Sequence, residues 1–325
     1  MADRIIPGFP PSPGEGVVDA YAYLGRAPCW LDTVSGEGWC TWYRSPDYDT
    51  SGEPCLTIWR MESDQWFRLR YSDGTEFFVD YLGSEIWCRW AQEATLEDVV
   101  PYLAGPILGF VLRLRGVFCL HSSAVAVNAQ AIAFIGQAQA GKSSTAAAFA
   151  KLGYTALSDD IVALADCGNR FLAHPGYARL CLWPDVADIL FGCLPRISPL
   201  GGISDWWDKR YVDLTANGRH FHTQPLPLAA IYFLDVRVGS PAAPRIEPFS
   251  AHDGLMHLVA NTYMNYLLDS PMRASEFEIL GRLISTVPVR RVIPHEDPVH
   301  LPALCEAVLA DVATLVRRPG LSNTF

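Results

Sequence analysis

Apolar and polar residues alternate in short runs across the first third of the chain. Cys55-Leu56-Thr57-Ile58-Trp59-Arg60, Trp66-Phe67-Arg68-Leu69-Arg70-Tyr71 and Glu76-Phe77-Phe78-Val79-Asp80-Tyr81 are separated by turn signals such as Ser72-Asp73-Gly74. Aromatic runs punctuated by Asp and Gly predict an antiparallel meander over about 21–92, its aromatics forming a core rather than a ligand platform. Residues 1–20, rich in Pro and Gly, are expected to be irregular. A helix is predicted from Leu96 to about Leu114. It contains the longest apolar run, Val99–Leu112, which is short for a bilayer span, carries Pro101 and Pro106, and is followed by Arg113 and Arg115. That composition fits a buried helix.

From about residue 115 the period changes repeatedly. Strands are predicted at His121–Val127, Ala131–Ile135, Thr155–Leu157, Ile231–Val236 and Pro288–Ile293, and helices at Ser143–Leu152, Gly254–Leu268, Ala274–Thr286 and Leu301–Arg317. The pattern implies an α/β fold: a β-rich N-terminal domain over 1–95, then an α/β domain over 96–325 that ends in a helical C-terminal region. Segment 193–225, with many Gly, Pro and Trp, reads as a long loop of the kind that serves as a lid.

Composition narrows the function. Half of the 325 residues are apolar, 18% are charged, and the formal net charge is −10, with no long Lys/Arg run. Nucleic-acid binding and adhesion to an anionic membrane are therefore not expected. Nine singly scattered cysteines include no Cys-x-x-Cys pair and no zinc-ligand spacing, so free thiols in a reducing compartment are expected. The N-terminus has no basic segment leading into an apolar stretch, which predicts a cytoplasmic location.

The candidate chemistry centres on Gly136, Gln137, Ala138, Gln139, Ala140, Gly141, Lys142, Ser143 and Ser144, a complete G-x-x-x-x-G-K-[ST] phosphate loop. A predicted strand leads into it and a predicted helix follows. In that setting backbone N–H groups and the positive end of the helix converge on a polyphosphate. Lys142 would reach the β- and γ-phosphates, and the Ser143 hydroxyl would sit on Mg²⁺. A loop of this kind predicts a nucleotide polyphosphate and Mg²⁺ as ligands, and leaves open whether ATP is preferred over GTP or pyrophosphate.

Ser158-Asp159-Asp160 ends a predicted strand, its carboxylates seventeen and eighteen positions after Lys142. A strand following the loop's helix can lie beside the loop-bearing strand, with its C-terminal end near the phosphates. One carboxylate would hold the metal while the other accepts a proton from an attacking hydroxyl. Ser-Asp-Asp is also ordinary turn chemistry; the nearby loop favours the functional reading. His121 stands fifteen residues before Gly136. A lone histidine opening a strand is usually a hydrogen-bonded core residue, and only its spacing marks it out.

Taken together, His121, the loop, Gly153-Tyr154 and Asp159-Asp160 resemble the catalytic domain of the HPr kinase/phosphorylase family over about residues 116–165. Leu120–Val125, Pro175–Pro184, Pro225–Leu228 and Pro288–Arg291 are more closely similar to the HPr-kinase-related proteins of lasso-peptide biosynthesis clusters. The resemblance implies phosphoryl transfer from ATP to a serine hydroxyl of a peptide or small protein, such as a lasso-peptide precursor. Asp160 would be the general base, Asp159 would orient it or, with Ser143, support the metal, and Lys142 would stabilise transferred charge. His121 would position the phosphate or the acidic pair. A homo-oligomer is compatible with this reading.

The chain also departs from that family. Ala138 and Gln139 fill the middle of the loop, and Gln139 occupies a glycine site where backbone angles are special. The family's metal-binding glutamate and its arginine-asparagine segment have no match. Lys209 and Arg210 are candidates for the missing positive charge. Two rival readings remain at this level: a kinase of a small-molecule hydroxyl, and a nucleotide-responsive binding protein without catalysis. Asn261–Tyr266 reads as helical packing, His295-Glu296-Asp297 as a turn, and His220-x-His222 as a polar loop.

Overall fold

The computed structural model describes residues 1–6, 9, 18–33, 38–63, 65–192, 209–214 and 221–316. Most of the 193–225 segment, including His220, lies outside them. The chain divides into two units, one built on Met1–Val117 with Tyr266–Asp269 joining it, the other on the remaining described residues.

The first unit is a six-stranded sheet. Strands β1 (Tyr21–Leu24), β2 (Trp39–Arg44), β3 (Leu56–Met61), β4 (Trp66–Tyr71), β5 (Glu76–Asp80) and β6 (Glu85–Arg89) run in the order β1-β6-β5-β4-β3-β2. From β2 to β6 it is the expected meander, with neighbours antiparallel; β1 pairs parallel to β6. Period-two alternation buries Phe67, Leu69 and Tyr71 of β4 and leaves Arg70 in solvent. Central β5 is buried on both faces, Phe77 and Phe78 completely, each contributing about 1.5–3 kcal/mol by area. Glu76 is buried with them and is held by Arg68 and Arg89.

The segment 96–114 continues this unit as α1 (Leu96–Tyr102), a π turn (Leu103–Ile107) and α2 (Leu108–Leu114). A capping box between Thr95 and Asp98 starts it. Pro101 and Pro106 lack the N–H an α-helix needs, and the wider π turn falls where Pro106 interrupts the ladder. Its buried face packs on the sheet, Phe110 edge-on to Phe67 and Tyr102 over Tyr71.

The second unit opens with β7 (Phe118–Val127), a two-residue Asn128-Ala129 turn with both φ angles positive, and β8 (Gln130–Ile135). That is the hairpin geometry that matches strand twist. There follow α3 (Lys142–Lys151), β9 (Thr155–Ser158), β10 (Ile161–Asp166), β11 (Phe171–Ala173), β12 (Arg179–Leu182), α4 (Pro184–Phe191) and β13 (Arg210–Asp213). The chain closes with β14 (Leu226–Leu234), β15 (Arg245–Pro248), α5 (Ala251–Ala260), α6 (Ser270–Thr286), β16 (Val289–Ile293) and α7 (Leu301–Val316). The sheet order is β11-β10-β7-β8-β14-β16-β15, with β9 on β7. Strands β8, β14 and β16 are parallel, and the others join antiparallel.

Helices cover both faces. Ile132 and Phe134 of β8 point into a core shared with Phe149 of α3 and Leu304 and Val308 of α7. Ala131, Ala133 and Ile135 point into another, shared with Leu258 of α5 and Leu280 and Leu283 of α6. The architecture is thus mixed α/β, with a β-rich N-terminal unit and a C-terminal helix. Among the described residues one helical window, Pro298–Leu315 of mean hydropathy 1.3, is long and apolar enough to cross a membrane. Its Leu304, Cys305, Val308 and Val312 form one stripe facing the core.

Three expectations need correction. Strand β9 is not beside β8; β7 lies between them, and β9 runs parallel to β8 one strand away. The helix expected over Gly254–Leu268 ends at Ala260, after which Asn261 leaves the helix and Asn265–Leu267 forms a separate 3₁₀ turn. Within the expected long loop, Arg210–Asp213 is a strand paired with β12.

Candidate active site

β8 delivers the chain to Gly136 at the centre of the sheet. A Cβ there would lie 2.7 Å from the Leu234 carbonyl oxygen of β14, so only glycine fits beside the parallel neighbour. Gln139 takes φ +64° and Gly141 takes φ +105°, and α3 begins at Lys142. The glycine site that Gln139 occupies does require a left-handed backbone. Lys142 Nζ folds back to donate to the carbonyls of Gly136 at 2.9 Å and Gln137 at 3.2 Å, which stretches its ammonium along the loop's inner curve.

The acidic pair sits at the end of β9. Asp159 is buried, and Oδ1 accepts hydrogen bonds from Ser123 Oγ at 2.6 Å and Ser143 Oγ at 2.8 Å. Its Oδ2 accepts the Cys181 backbone N–H at 3.0 Å. Burial outweighs these bonds and raises the carboxyl pKa above the ordinary value. Asp160 has φ +69°, and this left-handed step turns its side chain out of the interior. It is 45% exposed, with Oδ1 3.4 Å from His121 Nδ1. The two neighbours thus occupy opposite environments. Gly176 lies against Ser158, where a Cβ would overlap Ser158 Oγ, so this glycine allows β9 and the chain before β12 to meet.

His121 is on β7 opposite Ile161. Burial lowers its pKa, partly opposed by the Asp160 charge, which favours the neutral ring. The Lys142 pKa is likewise lowered by burial and held up by Asp160 and Asp159. Lys209 is close enough to act electrostatically on both Lys142 and Cys181, and its Nζ is 5.6 Å from the Trp183 ring centroid. Arg210 opens β13 in register with Leu182. The expected residues His121, Lys142, Ser143, Asp159 and Asp160 are therefore gathered at one end of the sheet, with Lys209 within electrostatic reach.

Several participants carried no sequence signal. Asn261, expected to be packing, is a junction: its Oδ1 accepts the buried Gly136 N–H at 3.0 Å, while its backbone carbonyl accepts the His121 N–H at 2.7 Å. Ser123 and Cys181 fix Asp159. Burial and the two aspartate charges push the Cys181 thiol pKa up to about 12. Arg237, just beyond β14, donates through Nη2 to the Gln139 carbonyl at 2.9 Å.

Chemically, Ser143 Oγ and the Asp159 carboxylate form an oxygen pair suited to a hard divalent cation that takes its other ligands from water and phosphate. Among the described residues there is no cluster of three or more His, Cys, Asp or Glu side chains suited to a metal. A cation here would depend on a phosphate ligand. All eight described cysteines are free thiols.

No family model matches the chain, and no curated protein matches it. Among solved structures it is similar to the HPr(Ser) kinase/phosphatase from Coxiella burnetii, with a TM-score of 0.32 and 11% identity, over 61% of this chain and 92% of that one.

Proposed function

We propose that the chain is an ATP- and Mg²⁺-dependent kinase that transfers the γ-phosphoryl group to a serine hydroxyl of a peptide or small protein. The observation that carries this reading is the 2.8 Å hydrogen bond from Ser143 to Asp159, which ties the acidic pair to the first turn after the loop. A loop and a carboxylate from separate strands meet there, as phosphoryl transfer requires.

Lys142, now bonded to loop carbonyls, carries the positive charge for the β- and γ-phosphates. Ser143 and Asp159 would hold the magnesium ion, which would supply charge neutralisation when bound. Asp160, turned outward, accepts the proton of the acceptor serine. The serine oxygen then forms a bond to the γ-phosphorus as the bond to the β-phosphate oxygen breaks, releasing ADP. His121 holds the Asp160 carboxylate in place and, being neutral, leaves that carboxylate free to take the proton. Lys209 adds positive charge at the rim.

For a peptide acceptor, β2 provides an edge. Among the described residues it ends the six-stranded sheet, with β3 as its one strand neighbour, and Cys40, Thr41 and Trp42 are exposed. An extended peptide, such as a lasso-peptide precursor, would add as a seventh strand.

The decisive variant is Asp160→Asn, because asparagine also tolerates a left-handed backbone and leaves the fold undisturbed. Transfer of labelled phosphate from ATP to peptide should fall by roughly 10²–10⁴-fold, with ATP affinity kept. Unchanged transfer, or a wild-type protein that binds ATP and phosphorylates no peptide, would count against a peptide kinase.

A further inference from the structure

The residues gathered around Lys142 account for one side of α3's first turn. On the other side, Ala140, Gly141, Ser144 and Thr145 form the floor of a solvent-open cleft. Its far wall is Arg237 and the segment Pro294–Leu301. We propose that this cleft receives the base and ribose of the nucleoside triphosphate, with His295, His300 and Arg237 as its recognition groups. The proposal rests on the phosphate-loop reading above and extends it to the part of the ligand that a phosphate loop does not read.

Helical geometry sets the direction. Successive residues on α3 point about 100° apart. Lys142 and Ser143 engage the loop carbonyls and Asp159, so Ser144 and Thr145 look elsewhere, into the cleft. A triphosphate whose terminal group faces the acidic pair thus leaves its organic end beside Ser144. The acceptor hydroxyl must come to Asp160, which does not line the cleft, so the two substrates do not compete for this space.

The wall has the chemistry of a heterocycle site. His295 and His300 are stacked with ring centroids 3.7 Å apart and planes 26° from parallel, a flat plate for a further aromatic ring. His295 Nδ1 accepts the Asp297 N–H at 3.0 Å, which leaves Nε2 of the neutral ring as a donor. His300 Nδ1 is buried with no hydrogen-bond partner among the described residues, an uncommon state that a ligand's donor or acceptor would relieve. Arg237 spends one donor on the Gln139 carbonyl, which fixes its guanidinium against Gly141 at the junction of loop and cleft.

The test uses the full chain and two ligands, MgATP and magnesium tripolyphosphate, with affinities measured by calorimetry. Wild type should bind ATP more tightly than tripolyphosphate. The His295→Ala/His300→Ala double variant should lose about tenfold or more in ATP affinity, the worth of one stacked base, and less than about twofold for tripolyphosphate. Photolabelling of the unmutated protein with 8-azido-ATP, competed by ATP, should mark the peptide containing Pro294–Leu301, and this arm does not depend on a variant folding. Equal losses for both ligands, no loss for ATP, or a label confined elsewhere overturns the subsite. A wild-type protein that binds tripolyphosphate as tightly as ATP sinks the subsite alone. One that binds neither sinks the phosphate-loop reading with it.

Discussion

Ser143 and Asp159 are sixteen residues apart in sequence and share a hydrogen bond of 2.8 Å, made across the first turn of a helix and the end of a strand. The bond binds a carboxylate in a place that disfavours its charge. Asp159 is buried, and its folded pKa is raised, so the ionised form at neutral pH opposes folding even with three donors around it. The Asp159→Asn variant removes that charge while keeping size and an acceptor for the Cys181 N–H. Its melting temperature at about pH 7 should rise, while on the proposed kinase reading phosphoryl transfer falls by ~10²-fold or more, because the carboxylate proposed for the metal is lost. A lower melting temperature would show that the charged hydrogen bonds outweigh desolvation here. Parallel thermal scans and transfer assays separate the two effects.

Asn261 joins two parts of the site that the chain separates by 125 positions in one case, through its side chain to Gly136. Asn261→Ala leaves the buried Gly136 N–H without an acceptor, a loss of about 1–3 kcal/mol. Because that N–H begins the loop, ATP affinity should fall as well, by roughly three- to tenfold. Denaturant unfolding and nucleotide titration of the same variant decide between roles. Lost stability with unchanged affinity would return Asn261 to simple packing.

The loop, its strand and its helix were legible because glycines at required backbone angles, a lysine and a continuous apolar strand are local signals. The aspartate pair was legible for the same reason, as a polar stop to an apolar strand. Asn261 was not: a helical spacing of apolar residues runs through it, and only long-range contact shows that α5 ends one residue earlier. Arg237 follows a strand with nothing in its neighbours to mark it, and it reaches the loop because β14 lies parallel to β8. The interposed β7 escaped notice because adjacency in a sheet is a property of pairing, which the pattern of one strand does not encode.

His121 sets a pH dependence. Burial lowers its folded pKa below the value in the unfolded chain. As pH falls through about 6.5, the unfolded chain takes up the proton first, so the native state loses stability until the folded pKa is also passed. Wild type should therefore lose more melting temperature between about pH 7.5 and 5 than His121→Gln, which has no proton to bind. An equal or steeper slope in the variant would place the titrating group elsewhere. The neighbouring Asp160 charge works against this effect, so the difference should grow in Asp160→Asn, where burial and the Lys142 charge are opposed by less negative charge.

Gln139 is the last case, a departure with a visible backbone consequence. Its φ of +64° places a residue with a Cβ where glycine is at ease, at a strain of roughly 1–2 kcal/mol. Gln139→Gly releases that strain and gives back about 0.5–1 kcal/mol in unfolded-chain entropy. The balance runs from about zero to a gain of about 1.5 kcal/mol, seen as a rise of at most roughly 3–6 °C in melting temperature. The Arg237 bond goes to the backbone carbonyl, so it survives the change. ATP affinity should hold or improve slightly, since the loop keeps the same path with less strain. A marked loss of ATP affinity instead would mean that the glutamine side chain itself touches the ligand, and that the loop's departure from glycine is a binding feature.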